Sequence, residues 1–327
     1  MHSVGRLASV VAGLLLSLSA IAADKMPSWM ADPPKDDGQF WYGTGEGPDL
    51  EIARRGALRN VAAKLRSTIA GQVSNTTTAS TSGGKEKVSM EATNRVVEEV
   101  AKTEFTRFDV VQSTKGGIGV YALVRVDRPA FIADTRNKLQ VVDKPVSAAA
   151  AALPGQTTLD QYLSLRRLKK QIEDGVRMSL LLQGAGATEE GQAGYRRYSD
   201  LLQAGADTAY KLTFELRAPP ADADIASAVS AYLAELGMRA ATARTPGANP
   251  LTISSDSRQD ELYGSKMLKM KVRLAVLDEQ GRAVASNEFD IPGSSRYDFK
   301  GARDDAVKKL ADALRKGGPL VAFGFKD

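Results

Sequence analysis

The chain has 327 residues, with 44 Lys plus Arg against 39 Asp plus Glu, a single His at position 2 and no Cys. Because we expect the segment that carries His2 to be cleaved off, the mature chain lacks imidazole and thiol, which excludes Ser-His-Asp and Cys-His catalysis. A structural zinc site of Cys and His is excluded for the same reason. Only oxygen-ligand ions such as calcium or magnesium remain to be considered, and we predict no cofactor.

The N-terminal residues have the pattern of a secretory signal peptide. Arg6 supplies a positive charge, residues 7–18 are apolar apart from Gly and Ser, and Ala20-Ile21-Ala22 fits the small-x-small cleavage rule. We predict a signal peptide over residues 1–22, cleaved between Ala22 and Ala23. Removing Arg6, its only charged side chain, lowers the formal net charge from +5 to +4. The apolar run is shorter than the roughly 20 residues of a spanning helix, so we expect an exported periplasmic protein without a transmembrane segment.

Residues 23–142 are predicted to form a first α+β domain. Its first element is an aromatic strand over residues 40–45, which ends in a glycine-rich turn. The helix that follows has apolar residues at three- and four-residue intervals from Leu58 to Ile69, and it is predicted to end at Gly71. The later elements are a polar β-prone stretch over residues 76–82, a hairpin of strands 105–112 and 118–126, and a helix over 130–139. Residues 88–100 fit either a long strand or a second helix, and we favour the helix.

Residues 143–157 are predicted to be a linker, because Pro145, a run of Ala and Pro154-Gly155 favour irregular backbone. A helical hairpin is predicted over residues 158–205, where an amphipathic helix to Gly184 is followed by a second helix over 189–204. Apolar side chains form a stripe along the first of these helices, and Lys and Arg crowd its other side.

Residues 206–327 are predicted to form a second α+β domain. A strand over residues 212–216 is followed by a helix that Asp222 caps and Gly237 ends. Strands are then predicted over residues 251–254, 265–277 and 282–291, before a closing helix. The predicted fold is therefore α+β: two small, mostly antiparallel sheets with helices packed on one face, joined by the linker and the helical hairpin.

Motifs that could support catalysis lack the context that each chemistry needs. Gly43-Thr44-Gly45-Glu46-Gly47 has the wrong spacing for a dinucleotide-binding turn, and we interpret its glycines as relaxing a tight turn. Ser82-Gly83-Gly84-Lys85 lies among polar residues instead of at the start of a buried helix. The acidic pairs Glu98-Glu99, Glu189-Glu190 and Asp304-Asp305 point apart on helix surfaces. We predict a protein that is not an enzyme, with a carboxylate-based hydrolase as an alternative that requires two acids facing one cleft.

The predicted strand over residues 265–277 carries a row of basic side chains. Alternation places Lys269, Lys271 and Arg273 on one face and apolar residues on the other. This row is a candidate interaction surface for a lipid headgroup, a cell-wall polymer or an acidic protein, and the alternative is a solvated sheet face that needs no partner. The interspersed charges of both signs argue against nucleic acid as a partner.

Three motifs occur in a characteristic order: Phe40-Trp41-Tyr42-Gly43-Thr44-Gly45-Glu46-Gly47, the helix Ala53-Arg54-Arg55-Gly56-Ala57-Leu58, and Tyr121-Ala122-Leu123-Val124-Arg125-Val126-Asp127. In this order, residues 27–142 resemble the LPP-twenty lipoprotein family and the related domains of flagellar-motor H-ring assembly proteins. The resemblance implies a non-enzymatic α+β interaction module of the cell envelope, in a bacterium with an outer membrane. The chain lacks the Cys that carries lipid in family members, so lipid anchoring is not implied.

The leading hypothesis is a periplasmic assembly or scaffolding module that binds envelope proteins, with flagellar or outer-membrane assembly as the settings that the resemblance suggests. The first alternative is a binding module for an anionic envelope polymer or lipid headgroups, which would use Lys269, Lys271 and Arg273. The second alternative is the carboxylate-based hydrolase. Salt dependence separates the first two, because only binding to a polyanion should weaken steeply as ionic strength rises.

Overall fold

The structure is a computed structural model that describes residues 26–78, 103–117, 119–278 and 280–325. Within these residues the chain has an α+β fold with one three-stranded and one five-stranded sheet, which confirms the predicted fold class. The chain divides into two compact units. The described residues of the first unit are 26–61, 105–117 and 119–127, and the remainder belong to the second.

The first unit is built on a small antiparallel sheet with β3 at its centre, in the order β1-β3-β2. On β3, Ala122, Leu123 and Val124 are buried, as the predicted hairpin requires. Asp49 starts α2 by accepting a hydrogen bond from the Ile52 backbone N–H at 2.8 Å. The elements are α1 (Ser28–Ala31), β1 (Phe40–Gly47), α2 (Leu50–Thr78), β2 (Phe108–Gly116) and β3 (Gly119–Asp127).

The glycines of β1 allow that strand to lie directly against α2. A Cβ added to Gly43 would collide with the carbonyl oxygen of Ala57, and one added to Gly45 would collide with the carbonyl oxygen of Ala53. Both alanines are completely buried. The glycines therefore belong to the strand itself, and their interpretation as a relaxed turn after the strand is wrong.

Replacing Gly45 by Ala should destabilise the first unit by about 1–3 kcal/mol, because the added methyl group has no space against the α2 backbone. Both tryptophans, Trp29 and Trp41, lie in this unit, so urea unfolding followed by Trp fluorescence measures the effect. Gly38→Ala is the matched control, since a Cβ there meets nothing within 4 Å. Equal unfolding midpoints for the two variants would contradict this packing.

The helix α2 extends beyond its predicted end. It continues through Gly71 and includes residues 76–78, which were predicted as β-prone, so both predictions are wrong there. In the second unit, Leu65 and Ile69 of α2 are 4% and 0% exposed, and they pack where a Cβ of Gly184 would lie. Their burial outweighs the weak local preference of Gly71 for a helix end. Residues 79–102, including the predicted helix over 88–100, lie outside the described residues.

A single helix, α3 (Arg128–Ala152), occupies most of the predicted linker. Val146 is only 2% exposed, and the Asp143 carboxylate accepts a 2.7 Å hydrogen bond from the Tyr198 hydroxyl and pairs with Arg197. These contacts hold the helix despite Pro145 in its interior, which removes one backbone donor. The linker prediction is therefore wrong for residues 143–152.

Three further helices follow: α4 (Thr158–Arg167), α5 (Lys169–Gly184) and α6 (Thr188–Lys211). The sequence predicted one helix where α4 and α5 are separated by a break at Leu168. The helices α5 and α6 pack antiparallel and form the predicted hairpin. They approach each other closely because Gly175 of α5 leaves room for the ring of Tyr198 on α6. The apolar stripe predicted for α5 is buried at Ile172, Val176 and Leu180.

The five-stranded sheet of the second unit has the order β5-β4-β6-β7-β8. The β5-β4-β6 part is parallel, and β6, β7 and β8 form an antiparallel meander. Two helices, α7 (Ala223–Glu235) and α8 (Phe299–Ala322), cover one face, as predicted. The strands are β4 (Thr213–Arg217), β5 (Arg239–Ala241), β6 (Asn249–Leu262), β7 (Ser265–Leu277) and β8 (Ala283–Ser295).

The strand β7 matches its predicted bounds, whereas β5 is an additional strand and β6 and β8 are longer than predicted. The extra residues of β6, 256–262, are exposed and mostly polar, so they carry no alternating burial pattern that marks a strand in the sequence. They are held by backbone pairing to β7 up to the register pair Leu262 and Ser265.

A partly buried ion cluster joins β6 to the starts of α7 and α8. Asp222 is only 4% exposed. Its carboxylate accepts hydrogen bonds from the Ser255 backbone N–H at 2.9 Å and from the Arg303 guanidinium at 3.2 Å. Arg303 also donates to Asp224 at 2.6 and 2.8 Å. Asp222 makes no side-chain cap to α7, so the predicted capping role is wrong; its partners lie on β6 and α8.

Replacing Arg303 by Met should destabilise the second unit by roughly 2–4 kcal/mol at pH 6, because Asp222 is left as a buried charge with only Ser255 as partner. Hydrogen bonding to Arg303 lowers the pKa of Asp224 below its ordinary value of 3.8. A carboxyl group whose pKa is lowered in the folded state stabilises the fold at pH values above its unfolded-state pKa. This contribution is lost as the pH falls through the folded-state pKa.

The difference in unfolding free energy between the wild type and Arg303→Met should therefore shrink below about pH 4. Chemical unfolding at a series of pH values measures it. Lys308→Met is the matched control on the same helix, because Lys308 is exposed and forms no ion pair within the described part of the chain. A difference that stays constant from pH 6 to pH 3 would rule out a contribution from Asp224.

Candidate functional site

The candidate site is the face of the five-stranded sheet opposite α7 and α8, which we call the open face. Because side chains alternate along each strand, the buried apolar set points at the helices and the polar set points away from them. All nine residues that define it are exposed. They are Ser254, Asp256 and Arg258 on β6, Lys269, Lys271 and Arg273 on β7, and Glu288, Asp290 and Pro292 on β8.

The register of the meander arranges these residues in three rows across the strands. The first row is Ser254, Arg273 and Glu288; the second is Asp256, Lys271 and Asp290; the third is Arg258, Lys269 and Pro292. Residues directly opposite each other on antiparallel strands are in reach of each other's side chains. The rows therefore decide which charges are neutralised.

Two of the three predicted basic residues are paired with acids of β8. The ammonium of Lys271 lies 3.0 Å from a Glu288 carboxylate oxygen and 4.0 Å from one of Asp290, and the Arg273 guanidinium lies 3.1 Å from Glu288. Hydrogen bonds from Lys271 and Arg273 lower the pKa of Glu288, and the hydrogen bond to Glu288 raises the pKa of Lys271. These pairs reduce the positive charge that the sequence predicted for this row.

The third row keeps its positive charge. Lys269 lies opposite Arg258, and within the part of the chain that the structure describes neither residue forms an ion pair. Directly opposed like charges are unfavourable, and Pro292 on the other side of Lys269 supplies no carboxylate. A surface depression of about 460 Å³ lies here, and its lining includes Asp256, Arg258, Lys269 and Asp290.

The hydrolase alternative requires two carboxylates facing one cleft. Asp256 and Asp290 both line this depression, on strands two apart and hence roughly 10 Å from each other, with Lys271 between them. The Asp290 side chain is 82% exposed, and a general acid normally depends on burial to stay protonated near neutral pH. This geometry gives the hydrolase alternative little support.

The other acidic pairs are not brought into this depression. Glu190 forms a bidentate pair with Arg136, and Asp305 binds Lys309 at 2.8 Å. The pair Glu98-Glu99 lies outside the described residues, as do the predicted cleavage residues Ala22 and Ala23. Over the described ranges, no group of three or more acidic side chains is placed to hold a metal ion, and no helix combines the length and apolarity needed to cross a membrane.

Sequence reasoning missed Arg258, because the strand that carries it was predicted to end at residue 254. The signal available was Gly264 immediately before the long strand, because a glycine between two runs of residues is typical of a hairpin turn. The acidic partners Glu288 and Asp290 lay inside a predicted strand, but pairing them with Lys271 required the register of β7 and β8.

Comparisons with known proteins give partial likenesses. Neither a family model nor a curated protein matches the chain. A minor lipoprotein of Acinetobacter baumannii is similar over 34% of this chain and 90% of its own, at 17% identity and a TM-score of 0.28. A secreted protein of Helicobacter pylori is similar over 85% of this chain and 97% of its own, at 12% identity and a TM-score of 0.38. Both TM-scores are low, so functional inferences rest on this chain's own residues.

Replacing Glu288 by Gln should increase retention of the protein on an immobilised polyanion such as heparin, because Lys271 and Arg273 lose their shared partner. Salt elution measures retention, and the gain should disappear at high ionic strength. Glu189→Gln is the control, since it removes the same charge from an exposed position on α6. Equal gains for both variants would mean that net charge, and not the open face, controls retention.

Proposed function

We propose that the protein is a non-enzymatic interaction module of the bacterial periplasm, and that its open face binds another envelope protein. The export pattern of residues 1–22 supports the compartment. The resemblance of residues 27–142 to an envelope family supports the class of function. The absence of Cys and of His in the mature chain argues against the commonest forms of hydrolytic catalysis.

The observation that carries this proposal is the mixed charge of the open face, whose nine defining residues are all exposed. Rows one and two place cations of β7 beside acids of β8, so the surface offers both signs within a few ångströms. A patterned surface of this kind matches the alternating charges of a protein partner better than the uniform charge of a polyanion. Electrostatic complementarity also fixes the orientation in which the partner binds.

A second candidate is binding of an anionic envelope polymer, and the third row favours it. Arg258 and Lys269 present two adjacent cations without an acid partner in the described residues, and an anionic group placed between them would relieve their repulsion. This candidate predicts binding that weakens steeply as salt is added. Binding to a protein through mixed charges predicts a shallower salt dependence.

A photo-crosslinking amino acid at Ser254 on the open face should capture a protein partner in intact cells, whereas one at Lys308 on α8 should not. Both positions are exposed, and they lie on opposite sides of the same sheet. Adding Lys271→Glu and Arg273→Glu to the Ser254 probe should abolish capture, because rows one and two then carry acidic charges alone. Mass spectrometry identifies the product, and the crosslinked chain should begin at Ala23.

Capture of the same proteins from both positions would remove the open face from the proposal. Crosslinks only to cell-wall glycan would favour the polymer candidate instead. A chain that retains its first 22 residues and fractionates with the cytosol would contradict the proposed compartment.

A further inference from the structure

One end of the five-stranded sheet exposes three large apolar or aromatic side chains, which we call the aromatic end. Leu262 and Tyr263 at the β6–β7 turn are 57% and 98% exposed, and Tyr297 in the β8–α8 connection is 89% exposed. The two segments are neighbours, because the register pairs Leu262 with Ser265, and Lys266 with Ser295. The aromatic end is therefore assembled from residues far apart in sequence.

The backbone at Tyr263 is in an unfavourable conformation for its side chain. Its φ is 49°, and it is the one residue other than glycine with positive φ in the described ranges. Together with Gly264, at φ 77°, it forms a tight hairpin turn whose first central position favours Asn, Asp or Gly. A side chain that is 98% exposed gains no intramolecular packing to offset this, so folding does not explain a tyrosine here.

The connection that carries Tyr297 is held in place, so its side chain is presented by a defined backbone. The Ser295 hydroxyl accepts a hydrogen bond from the Tyr297 backbone N–H at 3.1 Å. Asp298 caps α8 by accepting from the Gly301 backbone N–H at 2.7 Å. The ammonium of Lys266 lies 5.6 Å from the centre of the Phe299 ring, which links this connection to β7.

Two cations flank Tyr297 in the sequence. Arg296 and Lys300 are exposed, and neither forms an ion pair within the residues that the structure describes. Arg258 and Lys269 of the open face lie on the two strands that lead to the same end. Three acids lie near the tip: Glu261 pairs with Lys266, Asp298 caps α8, and Asp260 accepts a hydrogen bond from the Glu261 backbone N–H.

We propose that the aromatic end binds the surface of an anionic phospholipid membrane, with Leu262, Tyr263 and Tyr297 entering the interface and Arg296 and Lys300 contacting lipid phosphates. Exposed aromatic and aliphatic side chains beside unpaired cations have the composition of a membrane-interface contact. Their high exposure suits a membrane surface better than a protein pocket, which usually encloses its anchor residues. This inference goes beyond the proposed function, because it concerns different residues and a different ligand.

We expect the membrane contact to be weak and to need both the apolar side chains and the cations. Three apolar side chains bury little area, and stable attachment of peripheral proteins generally combines an apolar insertion with basic residues near anionic lipid. Binding should therefore require phosphatidylglycerol in the vesicle and should fall as salt rises, because the electrostatic part is screened.

Co-sedimentation of the chain from residue 23 onward with vesicles of phosphatidylethanolamine and phosphatidylglycerol tests the proposal. The double variant Tyr263→Ser and Tyr297→Ser should lower the partition coefficient at least about tenfold, and Arg296→Gln with Lys300→Gln should lower it similarly. Tyr210→Ser is the matched control. Tyr210 is 73% exposed and precedes β4, at the opposite end of the sheet, so its replacement should leave binding unchanged.

Insertion can be measured separately, because the chain has no Cys and one introduced Cys is labelled uniquely. A polarity-sensitive fluorophore attached at Tyr263→Cys should shift to the blue and brighten when these vesicles are added. The same fluorophore at Tyr210→Cys should not respond. Circular dichroism and thermal unfolding identify variants that have lost their fold.

Absence of wild-type binding to these vesicles overturns the proposal. So does a folded tyrosine double variant that binds like the wild type, or an equal loss in Tyr210→Ser. If the double variant loses a crosslinked protein while vesicles never bind the wild type, the aromatic end is a protein contact and the lipid proposal is wrong. The vesicle measurements do not depend on the partner proposed for the open face, so the two proposals can fail separately.

Discussion

The packing of α8 against one face of the five-stranded sheet is the constraint on which the rest of the second unit depends. The helix buries Ala302, Ala306, Leu310 and Leu314 completely against the apolar side chains of β7 and β8. The approach is close because Gly293 of β8 lies against the carbonyl oxygen of Ala302, where a Cβ would have no room. Burial of one face decides, through the two-residue period of a strand, that the intervening side chains lie on the opposite face of the sheet.

The open face contributes little to stability for this reason. Exposed ion pairs such as those of Glu288 with Lys271 and Arg273 are each worth at most about 1 kcal/mol, because water screens them and ordering long side chains is unfavourable. The partly buried cluster of Asp222 and Arg303 is different, since it joins three elements and desolvates a carboxylate. The open face can therefore vary in charge without loss of the fold, which suits a surface used for recognition.

Helix ends were difficult to predict, and the failures at Gly71 and Pro145 have the same cause. Gly71 and Pro145 are strong local signals for a helix end, yet both lie inside helices. At each place distant residues bury the chain: Ile69 packs against Gly184, and Asp143 binds Tyr198. A local preference of about 1 kcal/mol for glycine, and about 3 kcal/mol for proline, is outweighed by contacts that no local pattern reveals.

The sequence by itself determined the α+β class, the bounds of β7 and the placement of Lys269, Lys271 and Arg273 on its outer face, because alternation is a property of consecutive residues. Tertiary structure decided what those residues do. Lys271 and Arg273 meet Glu288 only because β8 pairs with β7 in one register, and Lys269 meets Arg258 only because β6 continues to Leu262. The same register brings Tyr263 and Tyr297 to one end of the sheet. Register depends on contacts between strands and on the burial of the opposite face, which local sequence does not encode.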